Sequence, residues 1–150
     1  QTPAQILMKL WETYGRSYYC RYDYENIPQQ QADRVMEGLL DRLSQLSGAV
    51  FSEYTVESAD SFAYQDSVDG SLTKNQGIRV FLKGGHRIIY RLSGTGTDNA
   101  TIRVYLEKIE NNASKLDDDV FSTLSLLGGV ADEIASINEI TGLSEPSVMT

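Results

Sequence analysis

The sequence predicts an α+β domain of two layers, with helices packed on one face of an antiparallel β-sheet. Three observations predict it. Residues 29–46 carry Ala32, Val35, Met36, Leu39, Leu40, Leu43 and Leu46 at helical spacing, one apolar stripe on a helix. Residues 77–92 alternate apolar and polar side chains on either side of Gly84-Gly85, and residues 100–109 alternate again, as strands with one buried face do. Residues 120–137 return to helical spacing through Val120, Leu124, Leu127, Val130, Ile134 and Ile137. Stripes of this kind and a one-sided sheet bury each other.

In chain order, Leu7, Leu10, Trp11 and Tyr14 recur at three and four residues, and Pro3 suits a first helical turn, which predicts a first helix over residues 3–14. After Gly15, the aromatic-rich residues 18–24 read as a strand that breaks at Pro28. The second helix follows and Gly48 closes it. Residues 54–56 and 61–64 are two short strand candidates, set apart from the next strand by the turn-rich residues 66–71. For the hairpin of residues 77–92, a three-residue loop from Gly84 to His86 sets Leu82 opposite Ile88 and Val80 opposite Tyr90, keeping apolar residues together. That register leaves Arg79, Lys83, Arg87 and Arg91 on one face, where like charges need solvent or an anion. In residues 100–109, Ile102, Val104 and Leu106 face the core and Arg103 faces away. Asp117 to Asp119 place negative charge at the start of the last helix, and Gly128-Gly129 weakens its middle.

The chain has 150 residues, 41% hydrophobic and 23% charged, which fits one soluble globular domain and excludes disorder. Its net charge is -8, from 13 Lys and Arg against 21 Asp and Glu. The charge is unevenly spread. Between Lys74 and Arg103 six basic residues face one acidic residue, a local +5 that leaves -13 for the remainder. A basic island in an acidic chain points to a local anion site and away from long nucleic acid. The single cysteine, Cys20, has no partner for a disulfide or metal motif, so a reducing compartment is expected. No apolar run is long enough for a membrane span and no signal-peptide pattern opens the chain, so a cytoplasmic protein without membrane contact is expected. The first Met stands at position 8, inside a helical pattern, as expected of a piece of a longer protein.

The residues suited to chemistry are Arg91-Leu-Ser-Gly-Thr-Gly-Thr97, a small-residue loop leaving one strand, with Arg103 returning on the next. Gly94 and Gly96 permit positive φ, so successive N–H groups can turn inward as a nest around an anion. Ser93 and Thr95 add hydroxyl donors, and two guanidinium groups match phosphate oxygens. The competing reading is an ordinary Gly-rich turn with solvated arginines. No Gly-Lys-Ser/Thr follows and the glycines do not form Gly-x-Gly-x-x-Gly before a helix, which excludes the common nucleotide loops. His86 reads as a solvated turn histidine without a role. Asp60, Asp66 and Asp69 read as turn residues capping their own backbone in preference to a metal cluster. Arg21, within Arg-Tyr-Asp-Tyr-Glu25, is either an ordinary strand charge or a guanidinium held at a cleft edge by aromatic neighbours.

At this loop the sequence resembles a known family. Asp69-Gly-Ser-Leu-Thr-Lys-Asn-Gln-Gly77, Arg91-Leu-Ser-Gly-Thr-Gly96 and Ala100-Thr-Ile-Arg103 closely resemble the C-terminal domain of phosphoglucomutases, in the α-D-phosphohexomutase superfamily. Tyr14-Gly-Arg16, Arg21-Tyr-Asp-Tyr-Glu25, Thr141-Gly142 and the end from Pro146 to Thr150 join the resemblance, so it covers essentially residues 1–150. It implies the fourth, TBP-like domain of a four-domain enzyme, closing over a central cleft to bind the substrate's phosphate. It implies that Arg91, Ser93, Gly94, Thr95, Gly96 and Arg103 form the phosphate loop, with Arg21 near the cleft. Two departures, Ser67 for a common proline and Asn99 for a common glycine, remove no phosphate donor.

The resemblance also implies what lies elsewhere. The family's phosphoserine segment Thr-Ala-Ser-His-Asn, its Mg-binding Asp-Gly-Asp-Gly-Asp loop and its sugar-reading Gly-Glu-Glu-Ser loop are absent from these 150 residues. No catalytic or metal residue is therefore expected here, and the chain alone is expected to be inactive. The implied full-length enzyme is an isomerase that interconverts glucose 1-phosphate and glucose 6-phosphate, using Mg and glucose 1,6-bisphosphate. The implied partners are glucose phosphates and the three preceding domains of the polypeptide. The alternative function is a non-catalytic paralogue acting as a binding or scaffold module.

Overall fold

The computed structural model describes residues 1–65, 74–94 and 99–150. Its elements are α1 (Pro3–Tyr14), β1 (Arg16–Pro28), α2 (Gln29–Leu46), β2 (Val50–Phe51), β3 (Tyr54–Gln65), β4 (Lys74–Leu82), β5 (Arg87–Gly94) and β6 (Asn99–Glu110). After a 3₁₀ turn at Ala113–Lys115 come α3 (Val120–Ala135), α4 (Ile137–Thr141) and β7 (Val148–Met149). The described strands form one antiparallel sheet in the order β2-β3-β4-β5-β6-β1-β7. This is the predicted α+β class.

Alternation decides which face is covered. Tyr18, Cys20, Tyr22 and Tyr24 of β1, Ile78 and Val80 of β4, Ile88 and Tyr90 of β5, and Ile102, Val104 and Leu106 of β6 are all buried. They meet Ala32, Val35, Met36 and Leu39 of α2 and Leu124, Leu127, Val130 and Ile134 of α3. A left-handed Asn26 makes a bulge between Tyr24 and Ile27, which keeps Ile27 on the covered side past the end of the strict alternation. The buried hydroxyl of Tyr90 donates to the Ala131 carbonyl at 2.7 Å, pinning β5 to α3. The guanidinium of Arg42 on α2 donates to the Ile134 carbonyl at 2.7 Å, satisfying an end group of α3. At Gly128 an added Cβ would strike the Tyr22 ring, so the glycine that weakens the helix pattern is what lets α3 approach β1.

Several elements differ from the sequence expectation. The two short candidates at 54–56 and 61–64 are one strand, β3, whose pairing with β4 is bulged between Val56 and Ser58. The hairpin register is shifted by two residues: Val80 lies opposite Ile88 and Ile78 opposite Tyr90. Leu82 and His86 close the loop, the Leu82 amide donating to the His86 carbonyl at 2.8 Å, so it has the expected three residues but lies one residue earlier, at 83–85. Gly84 and Gly85 both adopt positive φ, which lets the tight tip turn at these two residues. A shift of two preserves the faces, so the apolar set remains inward. The last helix ends at Ala135, and a left-handed Ser136 starts α4 at Ile137. The turn at 66–71 lies outside the described residues.

The first helix forms where its pattern predicts it, with a capping box between Thr2 and Gln5. It buries no residue, however, and Ile6, Leu7, Leu10 and Tyr14 are exposed, the first three by nearly half and Tyr14 by 77%. Periodicity shows that a stripe exists but not what covers it. The side-chain contact at its end is Arg16, whose guanidinium lies 4.2 Å from the Trp11 ring and 4.1 Å from the Tyr18 ring. A stacked pair of this kind contributes about 1 kcal/mol. Deletion of residues 1–14 is therefore expected to leave the melting temperature within about 5 °C of the parent chain, measured by circular dichroism. A much larger drop would mean that α1 belongs to the cooperative core.

Candidate phosphate-binding face

The face of the sheet turned away from α2 and α3 carries the charged residues, in rows that follow the strand register. One row runs Tyr19, Glu107, Arg87 and Phe81 across β1, β6, β5 and β4. The next runs Arg21, Tyr105, Ile89, Arg79 and Asp60. A third runs Asp23, Arg103, Arg91 and Gly77. Beyond it Ser93 lies opposite Thr101 and Gly94 opposite Ala100. The like charges that the sequence placed together on the hairpin are thus not opposite each other there, since Arg87 faces Phe81 and Arg79 faces Ile89.

Two of these cations are matched by carboxylates on the neighbouring strand. Arg79 donates through Nε and Nη2 to both carboxylate oxygens of Asp60, at 2.7 and 2.8 Å. Arg87 donates through Nε and Nη2 to Oε2 of Glu107, at 3.0 and 2.7 Å. In the third row Arg91 and Arg103 stand directly opposite each other. Opposed side chains on antiparallel strands lie about 5 Å apart at Cβ, and like charges there cost up to about 1 kcal/mol. The Nε of Arg103 is buried and has no hydrogen-bond partner among the described residues. A buried donor of this kind costs about 1–3 kcal/mol until an acceptor meets it.

Arg21 lies on the same face, two residues from Asp23, which is opposite Arg103. Its Nη2 donates to Asp23 Oδ2 at 3.0 Å, and its Nε lies 2.9 Å from Oδ1. The geometry thus brings together Arg91, Ser93, Arg103 and Arg21 on one face near the end of β5, whereas Gly94, opposite the buried Ala100, belongs to the covered side. Thr95 and Gly96 lie outside the described residues. Arg21, Arg91 and Arg103 with Asp23 give this group a net formal charge of +2, the complement of a phosphate dianion. Asp23 was not singled out by the sequence reading, although Arg21-x-Asp23 on a strand necessarily puts both side chains on one face.

Other recesses are less suited to an anion. On the helix side a cleft of about 360 Å³ is lined by Tyr22, Tyr24, Gly128, Asp132, Glu145 and Met149. Asp132 and Glu145 set a negative potential there. At the hairpin end, a depression of similar size mixes Lys83, His86, Lys108 and Lys115 with Glu53 and Glu110. Among the described residues no group of three or more His, Cys, Asp or Glu could hold a metal ion. Asp60 is engaged with Arg79, and Asp66 and Asp69 lie outside the described residues. Cys20 is buried, and burial pushes its thiol up to about 11, so it is not an activated nucleophile. No helix among the described residues is long and apolar enough to cross a membrane.

These features define a two-layer α+β domain whose open sheet face sets two arginines directly opposite each other. Comparison with known proteins places the fold in a family. The family model for the phosphoglucomutase-1 C-terminal domain matches residues 16–147, beginning at β1. A phosphoglucomutase of Rhizobium radiobacter is 46% identical over 100% of this chain and 28% of its own length. Human phosphoglucomutase-1 is 40% identical over 100% of the chain and 28% of its own length. The open-form crystal structure of pp63/parafusin, a phosphoglucomutase from Paramecium, superposes with a TM-score of 0.78 at 36% identity, over 99% of this chain and 25% of that one. The chain belongs to the phosphoglucomutase family, in the region of its C-terminal domain, as the sequence resemblance implied. It spans little more than a quarter of the length of these relatives, whose whole enzymes are isomerases.

His86 has a different place from the one its sequence context predicts. It is half-buried, its Nδ1 accepts a hydrogen bond from the Ile109 amide at 3.0 Å, and its ring meets Tyr54 edge-on. It thus joins the hairpin tip to β6 in the neutral form. Burial first, then the nearby Lys108 ammonium, lowers its pKa below the ordinary value near 6.5. Since the unfolded chain protonates first, the stability His86 contributes is complete above about pH 6.5 and declines as pH falls through the lower folded value. Thermal melting from pH 8 to 5 is expected to show this loss, and His86→Ala, which removes the only histidine, is expected to flatten it. An unchanged slope in the variant would assign the loss to other groups.

Proposed function

We propose that this chain, as the fourth domain of a longer phosphoglucomutase, binds the phosphate of a glucose phosphate between Arg91 and Arg103. The observation that carries this reading is their direct opposition on β5 and β6, beside a buried guanidinium donor without an acceptor. Phosphate oxygens relieve both costs, supplying negative charge between two cations and acceptors for planar donors. Ser93 and the glycine-rich residues 94–96, which leave the same strand end, add hydroxyl and backbone donors. Arg21 stands at the rim of this group.

In the full-length enzyme the reaction is the interconversion of glucose 1-phosphate and glucose 6-phosphate in the cytoplasm. The phosphoserine, Mg and glucose 1,6-bisphosphate that it requires belong to the three preceding domains and their cleft. Here the chain contributes position: holding the non-reacting phosphate fixes the far end of the sugar against the reacting centre, so remote binding energy is used for orientation. Membership in the family and the cytoplasmic forms among the plant relatives support this reading.

Titration of the chain with glucose 1-phosphate, followed by NMR, tests it. Binding is expected to be weak, to weaken further with added salt, and to fall at least tenfold in Arg103→Ala, with partial recovery in Arg103→Lys. Glucose, which lacks the anion, is expected to leave the spectrum unchanged. Equal shifts in the parent and Arg103→Ala would leave the arginine pair as a solvated surface.

A further inference from the structure

Asp23 is the charged side chain that the sheet buries: at 5% exposure it stands alone among the buried residues of the described chain in carrying a charge. Its burial comes from its position and not from the core, because it faces away from α2 and α3. The terminal segment runs beside it as the edge strand of the sheet. The Ser147 amide donates to the Asp23 carbonyl at 2.7 Å, Val148 pairs with Asp23, and Thr150 exchanges two backbone hydrogen bonds with Arg21, at 2.9 and 3.0 Å. These bonds fix the backbone of both residues. A carboxylate so deprived of water is unfavourable unless a cation answers it, and Arg21 does so through Nη2 and Nε. Asp23 Oδ1 and Arg21 Nε meet only as an ion pair at 2.9 Å, and both, like Arg103 Nε, are buried without a hydrogen bond among the described residues; Asp23 and Arg103 are direct neighbours across β1 and β6.

We propose that Asp23 is a positioning residue for the phosphate site, clamping Arg21 on the rim of the Arg91–Arg103 pair so that a third guanidinium is already ordered when the anion arrives. The proposal rests on the phosphate reading of that pair. An arginine side chain loses much rotamer freedom when it is fixed, and Asp23 imposes that loss before binding. A carboxylate beside an anion site is otherwise unfavourable, since its charge opposes the ligand. Positioning and simple electrostatics therefore predict opposite signs for its neutralisation. If Asp23 acts only as a charge, Asp23→Asn tightens anion binding; if it holds Arg21, the same change weakens it.

The test compares glucose 1-phosphate binding in the chain and in Asp23→Asn, Arg21→Ala and the double variant. Asp23→Asn is expected to bind about tenfold more weakly, and the double variant to bind no more weakly than Arg21→Ala, because Asp23 works through Arg21. Without ligand, the Arg21 Nε–H resonance is expected to be slow to exchange in the parent and averaged in Asp23→Asn. Equal or tighter binding by Asp23→Asn overturns the proposal while leaving the phosphate reading intact. A parent chain that does not bind glucose 1-phosphate overturns the phosphate reading itself. Should Asp23→Asn not fold, Arg21→Ala and Arg21→Lys carry the test. Both are expected to weaken binding, and parental affinity in Arg21→Ala overturns the proposal.

Discussion

The pairing of Arg91 with Arg103 across β5 and β6 is the constraint around which the open face of the sheet is organised. It is fixed by contacts on the other face. Tyr90 and Leu92 flank Arg91, Ile102 and Val104 flank Arg103, and Tyr90, Ile102 and Val104 are buried under the helices. The Tyr90 hydroxyl adds a hydrogen bond to α3. Slipping either strand by one residue would turn these apolar side chains to solvent, so the core enforces the opposition of two like charges. The cost of that opposition is small beside the burial that imposes it. An anion is the natural complement.

The same register distributes the remaining charge. Towards the hairpin end of the sheet, Arg79 and Arg87 each meet a carboxylate on an adjacent strand, in exposed pairs that contribute little to stability but lower the local positive potential. Towards the loop end, Asp23 meets Arg21. The net charge of -8 describes neither region. An acidic remainder discourages polyanions at large, while the local basic row keeps a positive potential at one end of the sheet.

Much of this was legible in the sequence because burial repeats at the period of each element. α2 has the bounds that its stripe gives, and β5 and β6 have the faces that their alternation gives. What was not legible depends on contacts without a period. The helical stripe of α1 is real, yet no described residue of the chain buries it. The hairpin loop lies one residue earlier than alternation places it because two consecutive glycines and the His86 bond to Ile109 govern its tip. The two-residue strand β7 is defined only by its partner, 127 positions away in the case of Met149, which pairs back to Tyr22, so Asp23 gives no sequence sign of being buried. Residue type and spacing single out Arg91, Ser93 and Arg103 as candidates; that Arg91 and Arg103 oppose each other comes from the register.

The most direct measurement is a crystal structure of the chain with glucose 1-phosphate. The account predicts the phosphate group between the guanidiniums of Arg91 and Arg103, within hydrogen-bond distance of both, with the sugar leading away from the sheet. A phosphate seated instead among Lys83, Lys108 and Lys115 at the hairpin end, with the arginine pair unoccupied, would contradict it.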